Sequence, residues 1–359
     1  MGKISLKSLI IIVLLISVFI LPLYYPAGIS IYFRLFLLIL IFIESLKLFK
    51  IIFINTKISN NISNLGIFLF SLFVIFILLE AIFMFIPRSH NFNYTLSSKL
   101  WFHKYWKPIN SLGFRDNEPS NNNHVIMFVG NSFTAGHGLK CVDDRFSNIV
   151  GNELNKTEKK YNIINIGHNG RHTRREYESM INFFYMTRIK PKIIILQYYG
   201  NDIEDVAIEN GLTYIRLPII NKYLNAIISG SYLLNYIYWS SSNYYINDSY
   251  NNFLSLAYNN DTILSKHKDD LGLFVNYAKK NSLKLIVVVF PYLHNLEKSD
   301  ALYGNSIVNY FAEKNVSTIN VSQLVKDIPI SKRIINKNDG HASKIVNKLV
   351  AQEILKRLK

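Results

Sequence analysis

The chain has 359 residues, more than a single small module needs at about 150 residues per domain. Half of them are hydrophobic and 18% are charged, against a usual charged share of about 25%, which excludes a disordered or collagen-like chain and predicts that part of it is solvated by lipid. The 40 Lys+Arg against 24 Asp+Glu give a net charge of +16, and the single cysteine, Cys141, excludes an intrachain disulfide and a cysteine-based zinc site.

In chain order, three apolar stretches come first and predict transmembrane helices over residues 9–25, 29–46 and 65–87. Lys3 and Lys7 precede the first, and Lys47, Lys50 and Lys57 separate the second from the third, so the positive-inside rule places the N-terminus in the cytoplasm. Three crossings then predict a multi-pass cell-membrane protein with its C-terminal part extracytoplasmic. Nucleic acid is topologically excluded as a partner, and the membrane is expected as one. Residues 1–90 read as a membrane anchor and residues 91–123 as a connecting segment.

From residue 124 to 359 short β-branched runs alternate with amphipathic stretches. Residues 124–129, 161–166, 192–198, 283–290 and 317–321 read as strands, with helices over 144–156, 173–188, 263–281, 301–314 and 342–358. Such alternation predicts a parallel sheet covered on both faces, a flavodoxin-like three-layer α/β/α sandwich. Residues 210–261 break the pattern and read as a partly helical insertion near the site.

Ligands of open parallel sheets bind outside the carboxyl ends of the strands. Gly130-Asn131-Ser132 follows the first strand, Gly167-His168-Asn169-Gly170 the second and Gly200-Asn201-Asp202 the third, and Asn338-Asp339-Gly340-His341 precedes the last helix. A serine needs a positioned base, and histidine, with an ordinary pKa of about 6.5, is the usual one. Ser132 and His341 are the candidate pair, with Asp339 near enough in sequence to orient the imidazole from the same loop. The amides of Ser132 and Gly170 and the side chain of Asn201 are candidate oxyanion donors. Each segment alone also reads as an ordinary turn or helix cap. His137, His168 and His172 match no zinc spacing, so no metal is expected. Neither a Rossmann glycine pattern nor a P-loop is present, so no cofactor is expected. Arg171, Arg174 and Arg175 read as a solvated helix start or an anion site.

Taken together, four segments resemble the SGNH (GDSL-type) hydrolase superfamily over about two-thirds of the chain, and the protein looks like a membrane-anchored member. VIMFVGNSFTAGHGL resembles the block that carries the nucleophile, Ser132; INIGHNG the block whose glycine, Gly170, serves the oxyanion hole; YYGNDI the block that supplies Asn201; and NDGHAS the block of Asp339 and His341. NSLGFRD, residues 110–116, resembles a segment ahead of the first block in many bacterial members. Asn131 replaces the common aspartate of that block. The family's acid often lies three residues before the histidine, where this chain has Asn338; the two-residue spacing of Asp339 resembles members that O-acetylate exported polysaccharides.

The resemblance implies a serine esterase or deacylase acting on acyl esters of surface glycans or lipids. Two alternatives are an O-acyltransferase using the same triad, which would need a multispan acyltransferase partner, and a non-catalytic glycan-binding protein.

Overall fold

The computed structural model describes residues 60–88, 95–120, 124–156, 161–215 and 221–358, besides isolated positions at 11, 13, 40–42 and 45. The chain divides into two compact units, one of residues 1–87, 95–98 and 218–241, the other of residues 88–94, 99–217 and 242–359.

In the second unit five strands form one parallel sheet: β1 (Val125–Val129), β2 (Asn162–Asn165), β3 (Ile193–Tyr198), β4 (Lys284–Val289) and β5 (Ser317–Asn320), in the order β2-β1-β3-β4-β5. Successive side chains alternate between faces. Val125, Met127 and Val129 therefore meet Met180, Phe183, Phe274 and Phe311 on one side, and Ile126 and Phe128 meet Phe146, Val150, Val346 and Val350 on the other. Helices Thr173–Thr187, Asp261–Lys280 and Asn305–Glu313 cover the first face, and Phe146–Leu154 and Lys344–Leu358 the second. Burial on both faces explains why these strands read as unbroken apolar runs. The chain leaves β1 toward β2 on one side and β3 on the other, so a crevice opens at the carboxyl ends of β1 and β3.

One further element shapes that crevice. Strands β6 (Ile334–Asn336) and β7 (Asp339–Ala342) form an antiparallel hairpin with Asn336 opposite Asp339, ahead of the last helix. The loop expected to hold Asp339 and His341 is thus a strand.

The first unit corrects the expectation of three transmembrane helices. Among the described residues no helix is long and apolar enough to cross a membrane. The stretches 9–25 and 29–46 lie almost wholly outside the described residues. The third falls in the helix Asn60–Phe83, which starts on Asn60, Asn61, Ser63 and Asn64 and ends before Pro87. Within this helix Glu80 is buried as the cap of another helix. It accepts hydrogen bonds from Ser231 Oγ, from Tyr232 N at 2.8 Å and from Leu233 N at 3.1 Å. A carboxylate there satisfies amides with no partner inside the Tyr232–Tyr258 helix and complements its dipole.

Candidate active site

Ser132 opens a four-residue helix, Ser132–Ala135, directly after β1. Asn131 caps it, its side-chain oxygen accepting from Phe133 N at 3.1 Å, as short polar side chains do at helix starts. The Asn131 side-chain amine donates to Asp202 Oδ1 at 3.1 Å and Asn201 Oδ1 at 3.3 Å. This contact fixes which way the Asn201 amide points: its oxygen is held by Asn131, leaving its NH2 for the cleft that Asn201 lines.

The structure brings Ser132, His341 and Asp339 together across 209 positions of sequence. Ser132 Oγ lies 2.8 Å from His341 Nε2, and His341 Nδ1 lies 2.6 Å from Asp339 Oδ1, which also accepts from the His341 backbone amide at 3.1 Å. Asp339, not Asn338, is therefore the residue bonded to the imidazole. Burial alone would raise the Asp339 carboxyl, but the adjoining His341, and after it His137, hold it well below the ordinary carboxylate range. An ionised acceptor on Nδ1 leaves Nε2 free to take the serine proton.

Ser132, Gly170, Asn201 and His341 line one cleft of about 1250 Å³. Gly170 has φ +69° and open space where a side chain would stand, which suits a backbone amide presented to a substrate. The residues that carry the three expected oxyanion donors thus line the same cleft as the nucleophile.

The cleft also runs along a polar wall. His172 Nδ1 lies 3.1 Å from Asp205 Oδ1, and its Nε2 3.4 Å from Glu204 Oε2. Burial would lower the His172 pKa, but these two carboxylates outweigh it and raise it to about 9. Glu204 also accepts from Tyr214 at 2.6 Å and Tyr250 at 2.7 Å. Arg174 pairs with Glu209 and Asp270, and Arg175 with Asp205, so two of the three arginines at this helix start are paired within the protein. Asn247, Tyr250, Asn251 and Leu254, from the insertion expected near the site, complete this side.

Three further residues received no role from the sequence. Arg115, in the NSLGFRD segment, is 1% exposed and donates to the carbonyls of Tyr105 and Leu139 at 2.8 Å and Gly136 at 2.6 Å, clamping the chain beyond the nucleophile. Arg145 donates to Arg115 O at 2.5 Å and pairs with Asp116 at 3.1 Å, and Asp116 in turn accepts from Asn165 N in β2. The sequence marked the NSLGFRD segment but gave Arg115 no role, and nothing local links it to Arg145, 30 positions on. The third is His137, buried beneath His341 with ring centroids 4.2 Å apart and planes 17° from parallel. His137, Asp339 and His341 place ligand-type atoms within 4.8 Å of one another, but two stacked imidazoles cannot both aim in-plane lone pairs at one ion.

No family model and no curated protein matches the sequence. Among solved structures, a catalytic mutant of Axe2, an acetylxylan esterase from Geobacillus stearothermophilus, is 13% identical, with 67% of this chain and 96% of that one covered at a TM-score of 0.42. The psychrotrophic esterase EstA from Pseudoalteromonas sp. is 11% identical (66% and 97% covered, TM-score 0.40), and AlinE4, an SGNH-hydrolase family esterase, is 14% identical (67% and 99% covered, TM-score 0.37). Likeness at this level adds nothing to the chemistry of the site, which rests on its own residues. These three neighbours are esterases, one of them of the SGNH-hydrolase family that the four sequence blocks of this chain resemble.

Proposed function

We propose that this chain is a serine esterase that removes an acyl group from an alcohol oxygen. The observation that carries the reading is the unbroken relay from Ser132 Oγ through His341 to Asp339, at 2.8 and 2.6 Å. Ser132 Oγ attacks the ester carbonyl as His341 Nε2 accepts its proton, and Asp339 stabilises the imidazolium that forms. The carbonyl oxygen becomes an oxyanion, held by the amides of Ser132 and Gly170 and the NH2 of Asn201. Collapse breaks the bond to the alcohol oxygen, which leaves with the proton from His341. Water, deprotonated by the same imidazole, then releases the acyl group as a carboxylic acid and returns the proton to Ser132.

The wall of the cleft supports a hydroxyl-rich leaving group, the acylated hydroxyl of a carbohydrate. Arg174, Arg175 and His172 are matched there by carboxylates, and the Asn247, Asn251 and Tyr214 side chains are hydrogen-bonding partners for sugar hydroxyls.

The test is hydrolysis of a small activated acetyl ester by the purified full-length protein and by Ser132→Ala. Wild-type turnover that falls by about 1,000-fold or more in the variant is expected; turnover retained by Ser132→Ala removes the assignment. Faster release of acetate from an acetylated oligosaccharide than from a long-chain fatty ester of glycerol supports the carbohydrate, and the reverse order overturns it.

A further inference from the structure

His137 touches all three members of the relay. Its backbone amide donates to Ser132 O at 2.9 Å, its ring lies against the His341 ring, and its Nε2 stands 3.9 Å from Asp339 Oδ2, the carboxylate oxygen that His341 does not use. It sits between Gly136 and Gly138, both at positive φ. A side chain at Gly138 would come within 2.6 Å of Asp339 Oδ2, so glycine there lets the turn close on the acid. Behind His137 lie the rings of Trp101, stacked 18° from parallel, and of Phe102 and Trp106, both edge-on. On its other side His341 meets Phe133 at 5.0 Å. The imidazole that must swap protons between Ser132 and a leaving group therefore has the His137 ring stacked on it and the Phe133 ring tilted 45° against it, both rings carried by the nucleophile's own turn.

We infer that His137 is a positioning residue for the esterase reaction, its ring clamping His341 in the rotamer that reaches Ser132 and offering a neutral π face to the imidazolium. The inference rests on the esterase reading. The groups facing His137 are Asp339, His341, Asn169 and, at longer range, Arg115. Burial first, and then His341, lower its pKa to about 3, so it stays uncharged when His341 becomes cationic. A second cation in the stack would oppose proton transfer, whereas a neutral ring favours the charged partner. Holding a base in line matters because a displacement of about 1 Å can cost about 100-fold.

The experiment compares His137→Ala, His137→Gln and His137→Phe with the wild-type protein, using the activated acetyl ester. Alanine and glutamine, which lack a ring, are expected to lower kcat about 10- to 100-fold with KM within about two-fold. They are also expected to shift the acidic limb of kcat/KM to lower pH, because the imidazolium loses its π partner. Phenylalanine restores most of kcat. The low-field proton resonance of the His341 Nδ1–H to Asp339 bond, read without turnover, is expected to broaden or vanish in the glutamine variant and persist in the phenylalanine variant. Folded alanine or glutamine variants with wild-type kcat and pH profile, or a phenylalanine variant as slow as glutamine, overturn the inference. Failure of the esterase reading is distinguishable, since wild type and every variant would then lack Ser132-dependent turnover while the resonance still reports the clamp. If glutamine fails to fold, the resonance and kcat of the phenylalanine variant decide alone: loss of both overturns the inference.

Discussion

Asn131 shows how one side chain sets the direction of another. Its NH2 bridges Asn201 Oδ1 and Asp202 Oδ1, and an amide whose oxygen is tied back presents its NH2 outward. Asn201→Ala removes an oxyanion donor and is expected to lower kcat by about 100- to 1,000-fold, with little change in KM, in steady-state hydrolysis of the activated ester. Asn131→Ala leaves that donor in place but unaligned, and a smaller loss of about 10-fold is expected. The sequence displayed both residues through their places after β1 and β3. It could not display the bond between them, because 70 positions separate the two. Asn131 was legible only as a departure from aspartate; its work appears once the two loops meet.

At the scale of elements, the β6–β7 hairpin and the turn after Ser132 have to fit each other closely. Gly138 has φ +80°, and a methyl there would meet Asp339 Oδ2 and Ile335 Cγ1 at 2.6 Å. Gly138→Ala is therefore expected to displace the hairpin, reducing kcat by about 10-fold or more and lowering the thermal midpoint. By contrast, Gly170→Ala meets open space and faces only the backbone strain of its positive φ, about 1 kcal/mol. Arg115 performs the matching task on the other side of the turn. Replacing it with leucine strips the carbonyls of Tyr105, Gly136 and Leu139 of their donor. A loss of about 3 kcal/mol or more is expected at neutral pH, from buried acceptors left unpaired, measurable as a lower urea midpoint. The helix and strand positions were legible because apolar runs and amphipathic periods are local. The hairpin was not, because Asn338-Asp339-Gly340 reads as a turn whether or not a partner strand precedes it.

Across the whole molecule, stability is expected to depend on pH through two groups with opposite signs. Asp339 is held below its ordinary value, so its contribution is present above about pH 4 and is lost as pH falls toward the folded-state value. His172 is raised to about 9. Its contribution is complete below about pH 6.5 and disappears as pH rises through 9, amounting to about 3 kcal/mol at most. The lowered pKa values of Glu204 and Asp205 are the same contacts seen from the other partner. Urea midpoints of the wild-type protein are therefore expected to decline between pH 7 and 9.5, and His172→Gln is expected to flatten that limb. Glu80 offers a second lesson at this scale. An apolar stretch with one carboxylate predicts a lipid-facing span by hydropathy, yet that carboxylate caps the Tyr232 helix within the same unit.

By itself the sequence determined the alternating parallel sheet, the carboxyl edge at which ligands bind, and the residues available there, since each depends on local periodicity and on topological rules that hold for any such chain. The tertiary structure decided which of those residues bond to one another. Asp339 rather than Asn338 takes the imidazole, Asn131 aligns Asn201, Arg174 and Arg175 are paired within the protein, and a histidine that read as one of three unplaced imidazoles lies flat against His341. Hydrogen bonds and ring stacking act over a few ångströms, and only the folded chain brings residues tens to hundreds of positions apart within that range.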